Sequence, residues 1–325
     1  MELKEFLAEW HNDNPRILVH TSGSTGKPKP LMVEKRRMLN SARITCDFLG
    51  LKPGDTALLC MPLDYIAGKM MVVRSLQRDL RLTTVRPSSH PLADETLPHF
   101  TFAAMVPMQV YNSLKVPCER ERLMHIRHLI IGGGAISDEL AQMIKPLPNA
   151  VWSTYGMTET LSHIALRRLN GPDASLWYTP FDGVGISLNA DGCLVIDAPE
   201  VCAEPLATND IALLRTDDRT GKTLFRIKGR KDNVVCSGGI KIQIEEVEET
   251  LRPHLSAPFM IVKKQDEMLG EKAILLTESA DLTHIEEICR NTLPKYWVPR
   301  EFLHIDHLPL TETGKPKRTL PFTPR

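Results

Sequence analysis

One short segment near the start of the chain concentrates residue types that bind phosphate. It reads Thr21, Ser22, Gly23, Ser24, Thr25, Gly26, Lys27, Pro28, Lys29. Glycine lets the backbone approach a polyanion closely, amide N–H groups and hydroxyls then donate to its oxygens, and lysine adds positive charge. Apolar runs at 17–19 and 31–33 predict a tight loop between two short strands. The alternative is a flexible glycine/serine hairpin without a ligand. We call Thr21–Lys27 the phosphate loop.

Three further segments combine glycines, hydroxyls and charged residues in a similar way. The second covers 153–160 and follows the apolar run 150–152. The third runs from Gly229 to Ile242, and the fourth from Leu310 to Arg318. Any one of these segments is compatible with an ordinary turn. Only the composition and the order of all four segments together indicate a particular class of protein.

Together the four segments resemble the core motifs of the AMP-forming adenylating superfamily, which includes acyl-CoA synthetases, carrier-protein adenylation domains and luciferases. The resemblance extends from Ile17 to Arg318. It implies that ATP, Mg²⁺ and CoA take part in a reaction in which a carboxylate attacks the α-phosphate of ATP. Two anions must meet in this step, so the site needs positive charge and amide donors where negative charge accumulates.

The resemblance also implies roles for individual residues. Lys315 would be the catalytic lysine that bridges the α-phosphate and the acid, Glu159 would hold Mg²⁺, and Asp232 would be the hinge between two domains. The ATP site would contain the phosphate loop together with Gly132, Gly133, Gly134, Tyr155, Gly156, Thr158, Asp210 and Arg230. Within that set, Tyr155 and the glycine run would contact adenine, Thr158 would contact phosphate, and Asp210 and Arg230 would contact the ribose. The CoA channel would be lined by Ser237, Gly238 and Gly239.

Two of these assignments have local alternatives, and a third departs from the superfamily pattern. The run 132–134 is also typical of a strand-to-helix turn, and 237–239 of a left-handed turn. Asn209 stands before Asp210 where the superfamily usually has glycine, although the acid itself is retained.

The segment from Met61 to Arg74 contains the candidates for binding the acid. It resembles the substrate gate of the o-succinylbenzoate–CoA ligases of menaquinone biosynthesis, although Asp64-Tyr65 stands where those enzymes usually have Phe-His. The residues at 106–109 resemble a separate Val-Pro-Thr-Gln stretch of the same ligases. A dicarboxylate requires a cation at the far end of its pocket, and Arg74 is the candidate. We place Tyr65 beside the acid by the same resemblance. A surface or structural arginine is the alternative for Arg74.

Other functions remain open at this point. An aryl- or medium-chain acyl-CoA ligase would have an apolar pocket without a buried cation. A stand-alone adenylation domain would load a carrier protein instead of CoA. A catalytically silent nucleotide-binding protein is disfavoured by the presence of Lys315, Glu159 and Asp210.

Composition and charge exclude several classes of protein. The chain has 325 residues, and its 40 basic and 40 acidic residues balance, which gives no indication of a nucleic-acid partner or an anionic membrane surface. No apolar run approaches the roughly 18 residues of a membrane span. Its 7 cysteines include no Cys-x-x-Cys pair and are typical of reduced thiols in a cytoplasmic protein. The pairs His125/His128 and His304/His307 lack a third ligand, so we expect no zinc site.

The elements that must position these residues follow from the alternation of apolar strands and helical patterns. This alternation predicts an α/β fold with a mostly parallel sheet. We expect strands at 56–61, 82–85, 101–106, 128–131 and 150–153, and helices at 34–49, 66–77, 107–114 and 138–144. Short strands at 185–188 and 194–196 predict a small β subdomain. From about residue 233 the pattern predicts an α+β module with helices at 244–251 and 285–293.

We predict two domains. Residues 1–231 would bind ATP and the acid, and residues 232–325 would form a mobile domain that carries Lys315; the boundary is taken from the resemblance. Superfamily members usually have many more residues before the phosphate loop than the 20 present here. We therefore expect part of the N-terminal sheet layer to be absent or supplied otherwise. A second subunit of a homodimer is one way to cover the exposed face.

Lys315→Ala should lower the rate of acyl-adenylate formation by about 10²–10³, the effect typical of losing one donor to a developing negative charge. Rapid mixing of enzyme, ATP and acid under single-turnover conditions measures this step. Conversion of preformed acyl-adenylate to thioester is the control and should be unaffected, since the lysine acts in the first half-reaction. Adenylate formation at the wild-type rate would contradict the assignment.

Overall fold

The computed structural model describes residues 1–20, 30–134, 136–310 and 316–318. The chain divides into two compact units. Unit 1 consists of Met1–Ser187, Val195–Leu206 and Leu214–Arg226, and unit 2 of Leu188–Leu194, Ala207–Leu213 and Ile227–Arg325. The proposed functional boundary between residues 231 and 232 stays a prediction. Within the described ranges, no helix is long and apolar enough to cross a bilayer.

Two antiparallel strands flank the phosphate loop in sequence. Strand β1 (Arg16–His20) pairs with β2 (Pro30–Glu34), and His20 lies opposite Pro30. The predicted pair of strands is therefore confirmed. Side chains alternate along β1, so that Ile17 and Val19 are buried on one face. The ammonium group of Lys69 donates to the Leu18 carbonyl oxygen at 2.7 Å and ties β1 to the rest of unit 1.

A seven-stranded sheet forms the centre of unit 1. Its strands are β3 (Thr56–Leu59), β4 (Arg81–Thr84), β5 (Phe102–Met105), β6 (His128–Ile131), β7 (Ala150–Gly156), β8 (His163–Arg168) and β9 (Thr179–Pro180). Their order is β4-β3-β5-β6-β7-β8-β9. Neighbouring strands are parallel from β4 to β7, and β8 and β9 are antiparallel. Strand β5 is buried along its whole length, as expected for a central parallel strand. The predicted mostly parallel α/β sheet is confirmed.

The helices of unit 1 follow the predicted pattern closely. They are α1 (Leu3–His11), α2 (Lys35–Leu49), α3 (Ile66–Arg78), α4 (Pro107–Lys115), α5 (Pro117–Met124) and α6 (Asp138–Ile144). Helix α2 ends at Gly50, whose φ of 63° lies in the left-handed region that favours glycine. At the start of α6, the Ser137 hydroxyl accepts from the amide of Leu140 and satisfies one free N–H group of the first turn. Helices α1 and α5 were not predicted.

A four-stranded sheet corresponds to the predicted β subdomain. It contains β10 (Gly185–Leu188), β11 (Cys193–Asp197), β12 (Leu206–Thr216) and β13 (Thr223–Arg230), in that order. The predicted strands at 185–188 and 194–196 match β10 and β11. The longer strands β12 and β13 carry residues of the proposed ribose site.

The predicted α+β module lies in unit 2, in the part that begins at Ile227. Its strands are β14 (Val234–Ser237), β15 (Ile240–Gln243), β16 (Phe259–Asp266), β17 (Gly270–Thr277) and β18 (Glu301–His304), and its helices are α7 (Ile244–Leu251) and α8 (Leu282–Thr292). The strand order is β15-β14-β17-β16, and β18 pairs with β17 in parallel. Val247 and Leu251 of α7 pack in one core with Leu275 of β17 and with Ile285 and Cys289 of α8.

All 7 cysteines lie among the described residues and are free thiols. Cys46, Cys60, Cys193, Cys202 and Cys289 are buried. Burial raises the pKa of the Cys60 thiol to about 12, so this group stays protonated at neutral pH.

An ion pair anchors the described part of the C-terminal segment to unit 2. Arg318 contacts both carboxylate oxygens of Glu248, with Nη2 at 2.7 Å from Oε2, and donates to the carbonyl oxygen of Ile261 at 2.8 Å. Glu248 also accepts from the amide of Ile261 at 2.7 Å. The Arg318 and Glu248 side chains are only 15% and 10% exposed. This pair therefore links the C-terminal segment to α7 and β16.

Replacing Arg318 by leucine should destabilise the protein by about 3–5 kcal/mol, because it leaves a largely buried carboxylate without its cation. Arg290→Leu is the matched control. Arg290 pairs with Glu286, but those side chains are 66% and 41% exposed, so the control should cost less than about 1 kcal/mol. Urea unfolding of both variants measures the difference. Equal losses would show that the Arg318 pair contributes no more than a surface pair.

Candidate active site

The glycine run after β6 packs closely against β7. The amide of Gly132 donates to the carbonyl oxygen of Met105 at 3.1 Å. A Cβ atom on Gly132 would lie 2.5 Å from the Thr154 hydroxyl oxygen. Gly133 has a φ of 80°, which only glycine adopts at low cost. The turn itself therefore requires glycine, and contact of this run with adenine stays a prediction.

Tyr155, near the end of β7, belongs to an aromatic cluster. Its ring centroid lies 5.7 Å from that of Tyr178 and 5.0 Å from that of Phe225, and the Phe225 ring meets it edge-on. The Ser153 hydroxyl and the Tyr178 hydroxyl are 2.9 Å apart. Such a cluster provides a firm apolar wall of the kind that can lie against the face of a base. Sequence reasoning identified Tyr155 but not Tyr178 or Phe225, which no local motif marks.

The segment after β7 makes a turn too tight for a side chain at Gly156. A Cβ atom there would lie 2.2 Å from the carbonyl oxygen of Ser162 and 2.4 Å from the Cα atom of His163. The buried Thr160 hydroxyl lies 2.7 Å from the same Ser162 oxygen and accepts from the amide of Met157 at 3.0 Å. Gly156 is therefore required by backbone packing, whatever further contact it makes.

Thr158 and Glu159 lie in a 3₁₀ turn (Thr158–Thr160) inside this segment. The next residue, Leu161, has a φ of 64°, a left-handed conformation that costs a non-glycine residue about 1–3 kcal/mol. Thr158 is buried, whereas Glu159 is exposed. The Glu159 carbonyl oxygen is fixed by the Cys202 thiol at 3.0 Å. The turn thus holds its backbone firmly and presents the Glu159 side chain to solvent.

The donor set at Glu159 fits Mg²⁺ better than a metal held by protein alone. No group of three or more His, Cys, Asp or Glu side chains suited to a metal occurs in the part of the chain that the structure describes. Mg²⁺ commonly binds through one or two carboxylates together with substrate phosphates and water. One exposed carboxylate on a fixed turn meets that requirement.

In unit 2, the residues predicted to contact ribose lie side by side. Nη1 of Arg230 lies 3.4 Å from Oδ1 of Asp210, and Nη2 of Arg230 donates to Oδ2 of Asp232 at 2.8 Å. The side chain of Asn209 also donates to Oδ2 of Asp232, at 3.3 Å. The amide of Asp210 donates to the Thr208 hydroxyl at 3.0 Å. Asn209, the departure from the superfamily pattern, is therefore used to bind the predicted hinge residue.

The segment 237–239 forms the turn between β14 and β15. Gly238 and Gly239 have φ values of 57° and 83°, and the amide of Gly238 donates to the Leu269 carbonyl oxygen at 2.8 Å. Two successive left-handed residues explain both glycines without a ligand. The assignment of Ser237, Gly238 and Gly239 to a CoA channel stays a prediction.

Arg74 lies on α3 and is only 2% exposed, so the surface alternative for this residue is wrong. Its Nη2 donates to the Ser162 hydroxyl at 2.6 Å, and its Nε has no partner in the described ranges. Burial lowers the pKa of Arg74 to about 10, and nearby Cys46 acts in the opposite direction. The guanidinium is therefore still charged at neutral pH. Tyr65, the residue immediately before α3, is partly buried.

Two predicted parts of the site lie outside the described residues. These are the phosphate loop and Lys315. Their roles stay predictions.

Sequence comparisons place these motifs in context. The family described as AMP-binding enzyme matches residues 3–203. The chain is 26% identical over 344 residues to the 2-succinylbenzoate–CoA ligase of Bacillus mycoides strain KBAB4, covering 94% of this chain and 69% of that protein. It is 24% identical over 345 residues to the enzyme of the same name from Geobacillus strain WCH70, covering 96% and 69%.

Solved structures with the same fold include both a short and a longer protein. An acyl-CoA synthetase (AMP-forming)/AMP-acid ligase II-like protein from Dyadobacter fermentans is 33% identical, with a TM-score of 0.67 and coverage of 97% of this chain and 91% of that chain. The o-succinylbenzoate coenzyme A synthetase of Bacillus subtilis in complex with ATP and magnesium ion is 23% identical, with a TM-score of 0.73 and coverage of 93% and 68%. The second likeness shows the fold alone.

Gly156→Ala should lower both the thermal midpoint and the rate of adenylation, because the added Cβ meets backbone atoms that cannot move independently of the Glu159 turn. Overpacking of this kind typically costs about 1–3 kcal/mol. Gly185→Ala is the control, since the nearest atom to its added Cβ, apart from its chain neighbours, is the Cβ of Asp197 at 3.5 Å. Calorimetry compares the variants. Equal midpoints would contradict the close contact.

Proposed function

The chain belongs to the AMP-binding enzyme family and is an AMP-forming acid–CoA ligase, and we propose that its acid is o-succinylbenzoate. The family match over residues 3–203 and the 2-succinylbenzoate–CoA ligases among its relatives support this proposal. ATP and CoA are the cosubstrates. The observation that carries the choice of acid is the buried guanidinium of Arg74, whose Nε has no partner among the described residues.

The first half-reaction joins the acid to AMP. A carboxylate oxygen attacks the α-phosphorus, a new P–O bond forms, and the bond to pyrophosphate breaks. We assign Lys315 the positive charge beside the attacking carboxylate and the α-phosphate, and Asp210 the acceptor role for the ribose hydroxyls. Mg²⁺ neutralises charge on the phosphates when it is bound, and Glu159 is the side chain that would hold it.

The second half-reaction transfers the acyl group to a thiol. The sulfur of CoA attacks the acyl carbon, the thiol proton is lost, and AMP leaves as the C–O bond breaks. We assign the Ser237–Gly239 turn to the passage of the pantetheine arm, because glycine leaves room beside the backbone. We assign Asp232 to the hinge between the two half-reactions. Its bonds to Arg230 and Asn209 would then have to be remade in each cycle.

A second carboxylate on the acid explains why an arginine stands at position 74. Burial removes water from the guanidinium, and this cost is recovered when a carboxylate accepts from its N–H groups. In the proposed arrangement the aliphatic succinyl carboxylate is activated, and the ring carboxylate binds Arg74. An acid with a single carboxylate would leave the cation without a counterion.

The alternatives differ from this proposal in measurable ways. An aryl- or medium-chain acyl-CoA ligase would prefer acids with one carboxylate. A stand-alone adenylation domain would release pyrophosphate with its acid but would transfer the acyl group to a carrier protein and not to free CoA. Assays with a panel of acids, with and without CoA, separate the three functions.

Cytoplasmic location and a homodimer stay predictions.

Arg74→Met should weaken use of o-succinylbenzoate by about 3–5 kcal/mol in kcat/KM, because it keeps most of the packed stem and removes the charge from a desolvated pair. Use of 4-phenyl-4-oxobutanoate, which lacks the ring carboxylate, should change much less. Arg78→Met on the same helix is the control, since Arg78 pairs with Asp47 near the surface. Similar losses for both acids would remove Arg74 from this role, and a wild-type preference for the monoacid would refute the proposed substrate.

A further inference from the structure

A continuous series of hydrogen bonds runs from Arg74 to the backbone of α2. Nη2 of Arg74 donates to Oγ of Ser162 at 2.6 Å, and that oxygen lies 3.2 Å from Nδ1 of His163. Nε2 of His163 lies 3.1 Å from the hydroxyl oxygen of Thr45, which in turn donates to the carbonyl oxygen of Ser41 at 3.1 Å. These bonds join α2, α3 and the start of β8 within unit 1.

The number of available protons fixes the direction of this series. The Thr45 hydroxyl donates its only hydrogen bond to the Ser41 carbonyl oxygen, so the Thr45 oxygen accepts a hydrogen bond from Nε2–H of His163. Nδ1 of His163 is then an acceptor, and the Ser162 hydroxyl donates a hydrogen bond to it. Ser162 in turn accepts from Arg74. Every donor and acceptor in the series is used only when His163 is the neutral tautomer with its proton on Nε2.

Burial supports the neutral form of His163. Thr45 is 0% exposed and His163 is 7% exposed. Burial holds the pKa of His163 well below its ordinary value, and the positive charge of Arg74 acts in the same direction. An imidazolium would also place a proton on Nδ1, which would leave the Ser162 hydroxyl without its acceptor. The series therefore requires the neutral imidazole, which burial and the charge of Arg74 both favour.

We propose that Ser162, His163 and Thr45 are positioning residues that hold Arg74 in one orientation and thereby set selectivity for an acid with a second carboxylate. This inference rests on the proposed function. The bond to Ser162 occupies one side of the guanidinium, while Nε remains without a partner in the part of the chain described. Arginine carries about 2 kcal/mol of side-chain rotational entropy, so an anchor that is present before binding lowers the cost of presenting the remaining donors.

A merely structural role would not account for the choice of residues. Buried polar groups and a buried cation can often be replaced by apolar residues of similar volume without loss of stability. Here the polar side chains of Thr45, Ser162 and His163 all serve to hold one end of a single guanidinium, and the series ends at the backbone carbonyl oxygen of Ser41. Such an arrangement is useful if the other end of the guanidinium must face one direction.

The test compares Thr45→Val and Ser162→Ala with the wild type, using o-succinylbenzoate and 4-phenyl-4-oxobutanoate as the acids. Both substitutions should lower the diacid-to-monoacid ratio of kcat/KM by about tenfold, the effect expected from losing a hydrogen bond to a charged group or its support. The loss should lie mainly in KM for the diacid. Thr45→Ser keeps the hydroxyl and should restore the ratio.

Thr277→Val is the matched control. Thr277 is also 0% exposed, and its hydroxyl also donates to a backbone carbonyl, that of Pro258, at 3.1 Å. It lies in unit 2, so its replacement should leave the ratio unchanged. A loss of selectivity in this control equal to that in Thr45→Val would attribute the effect to general destabilisation and overturn the inference.

Imidazole nitrogen chemical shifts in the wild-type protein provide a readout independent of activity. Nδ1 of His163 should be unprotonated and Nε2 protonated at neutral pH. The opposite tautomer, or an imidazolium, would overturn the inference. An unchanged selectivity ratio in both Thr45→Val and Ser162→Ala would also overturn the inference. If the wild type still preferred the diacid in that case, the proposed function would remain intact. A wild type without that preference would overturn both.

Discussion

Moving a guanidinium from water into a protein interior costs several kcal/mol. In unit 1 the guanidinium of Arg74 is buried, and the residue is only 2% exposed. The cost is only partly offset by the bond to Ser162, because Nε has no partner among the residues described. No carboxylate of the described chain forms an ion pair with this group, and the only neighbour that raises its pKa is Cys46. The positions around Arg74 are most simply understood as the means of keeping one charge ready for a ligand.

Ser162 connects this charge to the turn that carries Glu159. Its side chain accepts from Arg74, and its carbonyl oxygen lies so close to Gly156 that no Cβ atom fits there. The same carbonyl oxygen lies 2.7 Å from the Thr160 hydroxyl. One residue therefore fixes both the predicted acid-binding side chain and the backbone of the predicted metal-binding turn. Their relative position within unit 1 is set by covalent geometry and short hydrogen bonds, with little freedom left to either.

The fold could be predicted where apolar residues recur with the period of a strand or a helix. Strand β6 begins and ends at the predicted residues, and α3 is one residue longer than predicted. Helix α5 was missed because its sequence, Pro-Cys-Glu-Arg-Glu-Arg-Leu-Met, buries only Glu119 and Leu123 and has no apolar stripe. Helix α1 was missed although Leu3, Phe6, Leu7 and Trp10 recur at helical spacing, so its sequence does carry the pattern of an amphipathic helix. Tertiary contacts stabilise α5, and such contacts leave little trace in the local sequence.

The residues of the site also divide into those that sequence motifs predict and those that only the folded chain reveals. Asp210 and Arg230 were predicted from motifs 20 residues apart, and the structure brings their side chains to 3.4 Å. Thr45 and His163 could not be predicted, because a single threonine and a single histidine have no characteristic spacing and meet only through the packing of α2 against β8. Ser162 and Tyr178 were missed for the same reason. Motifs thus reveal the residues that contact common substrates, whereas residues that support an individual specificity appear only in the folded chain.

The most direct test of the account is a competition between two acids. Wild-type enzyme would be incubated with ATP, Mg²⁺, CoA and equal concentrations of o-succinylbenzoate and 4-phenyl-4-oxobutanoate, and the thioesters formed at early times would be quantified by mass spectrometry. The account predicts that the thioester retaining a free ring carboxylate predominates. Predominance of the thioester of the monoacid would contradict the account, because the buried cation would then have no part in selecting the substrate.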